Sequence, residues 1–188
     1  HALVRRIARR LRAAETVHLT SAAGTDLAFS VDGREWIAED TGLCSRRSAF
    51  TTLPAGEVFV APVETSAEGR LVADVYFDEP LIEPVTATLR EGHATKIVGA
   101  SKAVHAMNSG GRDGRTLGRF GFGLNAHARA SGPHVEAEKS LGCASLGFGD
   151  NTSLGGRIAC GVHVECILSE VSVEVDGKAV IEKGRLVG

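Results

Sequence analysis

The chain has 188 residues, of which 43% are hydrophobic and 23% are charged, and this size and composition suit one ordinary domain with its own core. The formal net charge is −2, so no basic surplus indicates a nucleic acid or an anionic membrane as a partner. Aromatic residues make up 5% of the chain, which argues against a surface that stacks on bases.

The chain opens with a predicted amphipathic helix over residues 3–14. Leu3, Ile7 and Leu11 recur at helical spacing, and the arginines of the same segment fall mostly on the other side. Such an arginine-rich side is typical of a solvated helix face.

The rest of the chain is predicted to form mainly strands and turns. Alternating apolar and polar residues predict strands over residues 17–20, 27–31, 58–63 and 71–77. Two turn signals, Glu91-Gly92 and Asp176-Gly177, predict hairpins that join residues 86–90 to 94–98 and residues 171–175 to 179–181. We therefore predict one α+β domain, predominantly β, over residues 1–188.

Glycine is concentrated in two segments, residues 110–123 and 147–156. Because glycine permits positive φ and close backbone approach, these segments favour bulges, tight turns and a ligand that lies against the main chain. Neither segment follows a strand and opens a helix in a βαβ unit, which argues against a dinucleotide-binding fingerprint. His127 and His134 follow the first segment and could line a pocket, although we expect them to lie in a loop.

The four cysteines form no CxxC pair and show no zinc-ribbon spacing. The sequence shows no signal peptide and no apolar run of about 18 residues, so we expect a cytoplasmic protein with reduced thiols and no membrane contact. Cys166 follows His163 in a predicted strand at a spacing that places the two side chains on opposite faces, which argues against a Cys-His nucleophile.

Several segments, taken together and in order, resemble the M29 metallo-aminopeptidases. They are residues 24–27 (GTDL) with 32–34 (DGR), 53–59 (LPAGEVF), 117–125 (LGRFGFGLN), 138–142 (EKSLG), 148–151 (FGDN), 163–165 (HVE) and 173–177 (VEVDG). The resemblance implies a mixed-sheet domain like the C-terminal domain of that family, without the family's N-terminal α/β domain.

The resemblance also implies where a metal site would lie. The family is understood to use two glutamates, two histidines and an aspartate near two metal ions, with a tyrosine close by. The matching positions in this chain are Glu57, Arg119, Ser145, His163 and Glu165. Arginine cannot ligate a metal and serine is a poor ligand, so a degenerate site is expected. The only tyrosine, Tyr76, lies outside the segment that carries the family's tyrosine.

Two arrangements of this site are open. In the first, Glu57, His163 and Glu165 bind one zinc or iron ion. Some M29-like proteins are Fe(II)-dependent, ring-cleaving dioxygenases of dihydroxypyridines that use two histidines and one carboxylate, whereas only His163 stands at a matching position here. In the second, Arg119 replaces the metal and pairs with Glu57 or Glu165. We expect the second arrangement, with no cofactor.

The predicted function is therefore that of a pseudoenzyme, a non-catalytic peptide-binding protein derived from an aminopeptidase domain. It would hold a precursor peptide for partner enzymes in the biosynthesis of a modified ribosomal peptide, with Arg119, Phe122, Asn125 and Asn151 as peptide-binding candidates. The alternatives are a metal-dependent aminopeptidase with a reduced site and a mononuclear Fe(II) ring-cleaving dioxygenase. A homodimer is also expected, because M29 enzymes are dimeric.

Overall fold

The computed structural model describes residues 2–38, 42–44, 47 and 51–187. Its helices are α1 (Ala2–Arg10), α2 (Ser101–Ser109) and α3 (His134–Ala137), and short 3-10 helices lie at Asp113–Arg115 and Thr152–Leu154. The strands are β1 (Thr16–Ser21), β2 (Asp26–Ser30), β3 (Glu57–Val60), β4 (Glu68–Ala73), β5 (Tyr76–Phe77), β6 (Val85–Arg90), β7 (His93–Val98), β8 (Leu117–Gly123), β9 (Ala144–Gly149), β10 (His163–Leu168), β11 (Val171–Val175), β12 (Lys178–Glu182) and β13 (Arg185–Leu186). Within these ranges, no helix combines the length and the apolar character that crossing a membrane requires.

The strands form two sheets. Eight strands follow the order β13-β12-β11-β1-β2-β4-β6-β7, and five follow the order β3-β8-β9-β10-β5. The named strand pairs run antiparallel, and parallel contacts occur at isolated bridges such as Gly123–Leu141. The predicted α+β, predominantly β architecture is confirmed.

Both predicted hairpins are present. β6 pairs with β7 and β11 pairs with β12. At the two turns Glu91 and Asp176 have φ of 48° and 49°, and the glycines that follow them also have positive φ. Positive φ at both central residues is the requirement of a type I′ turn, which matches the twist of the flanking strands.

Other elements differ from the prediction at their ends. α1 stops at Arg10, although Leu11 remains buried in the turn that follows. Residues 71–77 divide into two strands, because Ala73 pairs with Val85 in the large sheet whereas Tyr76 pairs with Ile167 in the small one. α2 was not predicted.

One buried apolar cluster joins the two sheets and α1. The ring of Phe29 from β2 meets Phe120 from β8 edge-on, with 5.0 Å between the ring centroids. Val4 and Ile7 of α1 belong to the same cluster. The small sheet therefore has one apolar face, which packs on the large sheet and the helix.

The two glycine-rich segments divide between strand and turn. Residues 117–123 form β8 and residues 147–149 end β9, and these central strands of the small sheet were not predicted. As predicted, turns with positive φ occur at Gly111 and Gly155, and the pairing of β8 with β9 is irregular between Leu117 and Arg119.

Every residue of β8 and of β9 is buried. Phe120 and Phe122 belong to the core cluster, as do Leu146 and Phe148, and the alternating positions face the other way. Glycine at those alternate positions hides the period-two pattern of a strand, because glycine is depleted in strands generally.

Candidate functional site

The face of the small sheet that points away from the core carries the charged side chains. Because successive residues of a strand alternate between faces, β3 contributes Glu57, β8 contributes Arg119, β9 contributes Ser145, and β10 contributes His163 and Glu165. The structure therefore brings together all five residues that the sequence placed at the degenerate metal site.

Two glycines leave the space that these side chains occupy. A Cβ atom on Gly121 would lie 2.4 Å from Oε1 of Glu57 and 3.0 Å from Oγ of Ser145. A Cβ atom on Gly147 would lie 3.0 Å from Cε1 of His163. Polar side chains can be buried on this face because the neighbouring strand positions lack side chains.

Glu57 is fully buried and is neutralised from several directions. Its Oε1 accepts hydrogen bonds from Nη2 of Arg119 and Oγ of Ser145, both at 2.7 Å. Its Oε2 accepts one from Nζ of Lys139 at 2.7 Å. Since both oxygens are engaged by cations, Glu57 is not a suitable metal ligand, which corrects its expected place in that set.

Arg119 is a buried cation between two carboxylates. Besides the contact with Glu57, its Nη1 lies 3.4 Å from Oε1 of Glu165. The guanidinium carbon also lies 4.8 Å from the centroid of the Phe59 ring, within the range of a cation–π contact. Burial alone would lower the pKa of Arg119, but Glu57 and Glu165 outweigh it and raise that pKa above its usual value. Arg119 is thus permanently charged.

The segment that begins at α3 supplies three further groups to this face: His134, Glu138 and Lys139. Nζ of Lys139 lies 2.8 Å from Oε1 of Glu138, and both residues are buried. Burial, followed by the charge of Glu57, raises the pKa of Glu138. Sequence reasoning considered His134 as a residue that could line a pocket but favoured a loop position for it. It gave Glu138 and Lys139 no role, although both open one of the motifs that carry the resemblance.

Two imidazole rings approach the two oxygens of Glu165. Nε2 of His134 lies 2.6 Å from Oε2, and Nε2 of His163 lies 3.2 Å from Oε1. Burial alone would raise the pKa of Glu165, but the two histidines and Arg119 hold that pKa well below its usual range. Glu165 in turn raises the pKa of both histidines.

Nε2 of His134 has a further property. It is buried, and it finds no hydrogen-bond partner of acceptable geometry among the described residues despite its short distance to Glu165. Leaving a buried polar atom unpaired costs free energy. One donor atom each of His134, Glu138 and Glu165 lie within 4.8 Å of one another, so a cation between them would give this nitrogen a partner.

The charges of the cluster also favour a cation. The carboxylates of Glu57, Glu138 and Glu165 outnumber the cations Arg119 and Lys139 by three to two when the histidines are neutral. Imidazole and carboxylate are ligands that suit divalent transition metals. The residues present therefore fit one divalent ion on the side of the cluster that faces His134.

Of the four peptide-binding candidates, Arg119 belongs to the charged cluster on this face. Phe122 is fully buried on the core side, with its ring centroid 5.9 Å from that of Trp36. Asn151 is also fully buried and hydrogen-bonded within the chain, and Asn125 donates its side-chain amide to a backbone carbonyl. Phe122 and Asn151 thus offer no surface on which a peptide could lie.

Tyr76 lies next to the site, contrary to its expected position. Its ring centroid is 4.6 Å from that of His134. The pairing of β5 with β10 at the sheet edge brings it there, and no local sequence pattern indicates that pairing.

Comparison with known proteins shows a consistent family likeness. A family model described as NicX: 2,5-dihydroxypyridine 5,6-dioxygenase matches residues 1–188. A 2,5-dihydroxypyridine 5,6-dioxygenase of Pseudomonas putida KT2440 is 27% identical over 195 residues, which cover 94% of this chain and 55% of the relative.

Solved structures show the same likeness. A 2,5-dihydroxypyridine dioxygenase from Pseudomonas putida KT2440 has a TM-score of 0.85 at 25% identity, covering 98% of this chain and 58% of that one. Wild-type AmpT from Thermus thermophilus has a TM-score of 0.75 at 19% identity, covering 98% and 53%. The chain thus spans about half the length of the relatives that it matches.

These similarities correct the functional prediction. The likeness to an M29 aminopeptidase is confirmed for the fold. The predicted pseudoenzyme of modified ribosomal peptide biosynthesis is wrong, because the family model and the Pseudomonas putida proteins are dioxygenases. The expected absence of a cofactor is not supported either, since His134, Glu138 and Glu165 are grouped as a metal site would require.

Proposed function

The chain belongs to the NicX family, described as 2,5-dihydroxypyridine 5,6-dioxygenase, and we propose that it takes part in the oxygen-dependent opening of a dihydroxylated pyridine ring with a ferrous ion as cofactor. The observation that carries the proposal is the approach of two imidazole nitrogens to the two oxygens of Glu165. Judged on the sequence, the iron alternative lacked a second histidine. His134 supplies it from outside the matched motifs.

His134, His163 and Glu165 would hold the iron, and Glu138 is close enough to His134 and Glu165 to offer another oxygen. Two histidines and one carboxylate are the ligand set of many non-haem iron oxygenases.

A ferrous ion bound there supplies the redox chemistry through which dioxygen reacts with an aromatic ring. The residues of the chain would bind the ion and orient the substrate. Arg119 and Lys139 neutralise Glu57, so the negative charge that attracts a cation is concentrated on Glu138 and Glu165. Arg119 approaches Oε1 of Glu165 and not Oε2, which leaves the oxygen beside His134 to the ion.

His163 is the most exposed of the residues that form the ion pairs of the site. The side chain of His163 is 46% exposed, whereas that of Glu165 is 13% exposed, so a substrate would approach past His163. On the opposite side the buried strands β8 and β9 exclude water. Because Glu165 raises its pKa, His163 can also hold a proton at Nε2 when no metal is bound.

The test is an anaerobic titration of the protein with ferrous ion, followed by measurement of oxygen uptake with 2,5-dihydroxypyridine. We expect one iron per chain and substrate-dependent oxygen uptake. Glu165→Gln should weaken iron binding by more than about 100-fold, because even the loss of an outer-shell partner costs about 10–100-fold.

A matched pair of histidine variants distinguishes the loss of an iron ligand from the effect of replacing any histidine that contacts a carboxylate. His134→Gln should lose iron and oxygen uptake. His18→Gln should keep both, although His18 also contacts a carboxylate, that of Asp26 at 2.7 Å. If the wild-type protein binds no iron, the proposal is wrong; if it binds iron without oxygen uptake, the proposed reaction is wrong.

A further inference from the structure

A groove of about 850 Å³ lies between α1 and two loops. The charged cluster lies on the other face of the small sheet. One wall is α1, and the other walls are residues 33–38 and 153–155. Trp36 lines the groove and contacts Phe120 and Phe122, which lie on the core face of the small sheet. The charged cluster lies on the opposite face, so the groove is a separate site.

Arginines line the helical wall of the groove. Arg5 and Arg9 lie on it together with Ala8, and their spacing of four residues places the two arginines on one side of α1. Arg12 lines the groove from the turn that follows α1. The three arginine side chains are exposed, and none of them forms an ion pair with a residue that the structure describes. Because the whole chain has a net charge of −2, this local excess of positive charge is not a reflection of the overall composition.

Opposite the arginines, charge is nearly balanced. Arg34 lines the groove too, but it pairs with Glu64 at 2.5 Å and donates to the carbonyl of Gly155 at 2.8 Å. Glu35 is the acidic residue among the lining residues. The groove therefore has a cationic wall that nothing in its described lining neutralises in full.

The other part of the lining is apolar. Trp36, Ile37, Ala38 and Leu154 line it. Trp36 is 5% exposed and its Nε1 is buried, so the indole offers the groove a small apolar surface and no accessible donor. The lining thus pairs a cationic wall with an apolar one.

We propose that this groove binds a small organic carboxylate with a flat apolar body. The arginines would bind the carboxylate through charge-assisted hydrogen bonds. The apolar lining would bury the body, and the accessible edge of the Trp36 indole would add apolar surface to that lining. A volume of about 850 Å³ is within the size of pockets that take small molecules.

The chain contains a single tryptophan, so its fluorescence reports on this groove alone. The experiment titrates the protein at low salt with benzoate, acetate and inorganic phosphate and follows the fluorescence of Trp36. We expect a saturable change with benzoate, and affinity at least about tenfold weaker for acetate, because acetate lacks an apolar body to bury. Added salt should weaken the binding of benzoate.

Three variants test the contacts, with calorimetry as the readout where the tryptophan is lost. Arg9→Gln should weaken benzoate binding about tenfold, the effect of losing a charge-assisted hydrogen bond. Arg6→Gln is the matched control, since Arg6 belongs to the same helix but does not line the groove, and it should change affinity less than about twofold. Trp36→Phe should weaken binding by less than Arg9→Gln does, because it keeps an aromatic ring in the lining.

Several results would overturn the proposal. They are no saturable change with benzoate at millimolar concentration, equal affinity for benzoate and acetate, tighter binding of phosphate than of benzoate, and equal loss in Arg6→Gln and Arg9→Gln. None of these measurements depends on iron, so they stand or fall separately from the proposed dioxygenase chemistry.

Discussion

Gly121 leaves the space that Oε1 of Glu57 occupies, since a Cβ atom on Gly121 would lie 2.4 Å from that oxygen. Gly121→Ala should therefore lower the free energy of unfolding by about 1–3 kcal/mol, the usual cost of overpacking. Urea unfolding measures it. In a Glu57→Ala background the same methyl group should cost less, because the oxygen that it meets is gone. Equal costs in both backgrounds would show that Glu57 is not what the methyl displaces.

The buried ion cluster should respond strongly to the loss of one charge. Glu57→Gln would leave Arg119 and Lys139 without the carboxylate that each contacts at 2.7 Å. We expect a loss of about 3–5 kcal/mol in the free energy of unfolding. Glu79→Gln is the control, because Glu79 is exposed and only 3.5 Å from the exposed Lys102, and its effect should be within error. A loss below about 1 kcal/mol for Glu57→Gln would contradict a tightly coupled cluster.

The contribution of Glu165, His134 and His163 to the stability of the metal-free protein should be greatest in mildly acidic solution. The pKa of Glu165 is lowered from 4.5, so its contribution is present above that pH and is lost as the pH falls. The pKa values of His134 and His163 are raised from 6.5, so their contribution is present below that pH and is lost as the pH rises through the raised values. Urea midpoints measured against pH in a chelator should show this, and His134→Gln should flatten the alkaline side. An alkaline side that is equally steep in His134→Gln would contradict the assignment.

Metal affinity should rise with pH over the range in which the stability of the metal-free protein falls. A metal must displace the proton that Glu165 helps each histidine to keep. At pH values below the raised histidine pKa values, each further fall of one pH unit should lower the affinity for zinc or ferrous ion about tenfold for each proton that binding releases. Competition with a chromophoric chelator at several pH values measures this, and affinity that is flat across the range would show that His134 and His163 are not ligands.

The cysteines should divide into two classes of reactivity. Burial raises the pKa of the Cys143 thiol to about 11 and raises that of Cys166 further, whereas Cys44 is exposed and Cys160 partly so. Because the thiolate is the reactive form, a thiol reagent should label Cys44 first and Cys160 more slowly. Cys143 and Cys166 should react only after unfolding. Fast labelling of Cys166 in the folded protein would contradict its position on the core face of β10.

The positions of Glu57, Arg119 and His163 in one site could be predicted from the sequence, because the resemblance to the M29 aminopeptidases matches all three to positions around one metal site. His134 could not be placed in this way. It begins a helix of four residues whose position on the sheet depends on contacts between residues distant in sequence. The matched positions therefore offered one histidine together with an arginine and a serine, and this is why the sequence favoured a metal-free protein.

The identity of β8 and β9 as strands was similarly hidden. Their glycines lower strand propensity, and the reason for those glycines lies in other strands, in the volumes of Glu57 and His163. A pattern within one segment cannot reveal a space required by another. The hairpins at Glu91 and Asp176 were predictable because their turn residues are determined locally.

In β8, Phe120 and Phe122 face the core, whereas Arg119 and Gly121 face the charged cluster. The core and the cluster therefore depend on the same register of this strand. The pairing of β8 with β9 already shifts register between Leu117 and Arg119. One more residue inserted before Arg119, if that irregularity did not absorb it, would rotate every later side chain of the strand to the opposite face. Phe120 and Phe122 would then be driven into the space beside Glu57, and Arg119 would enter the apolar interior without a carboxylate. Such an insertion, however small, would remove the core and the ion cluster in a single step, whereas a surface loop such as that around Gly161 has no comparable sensitivity.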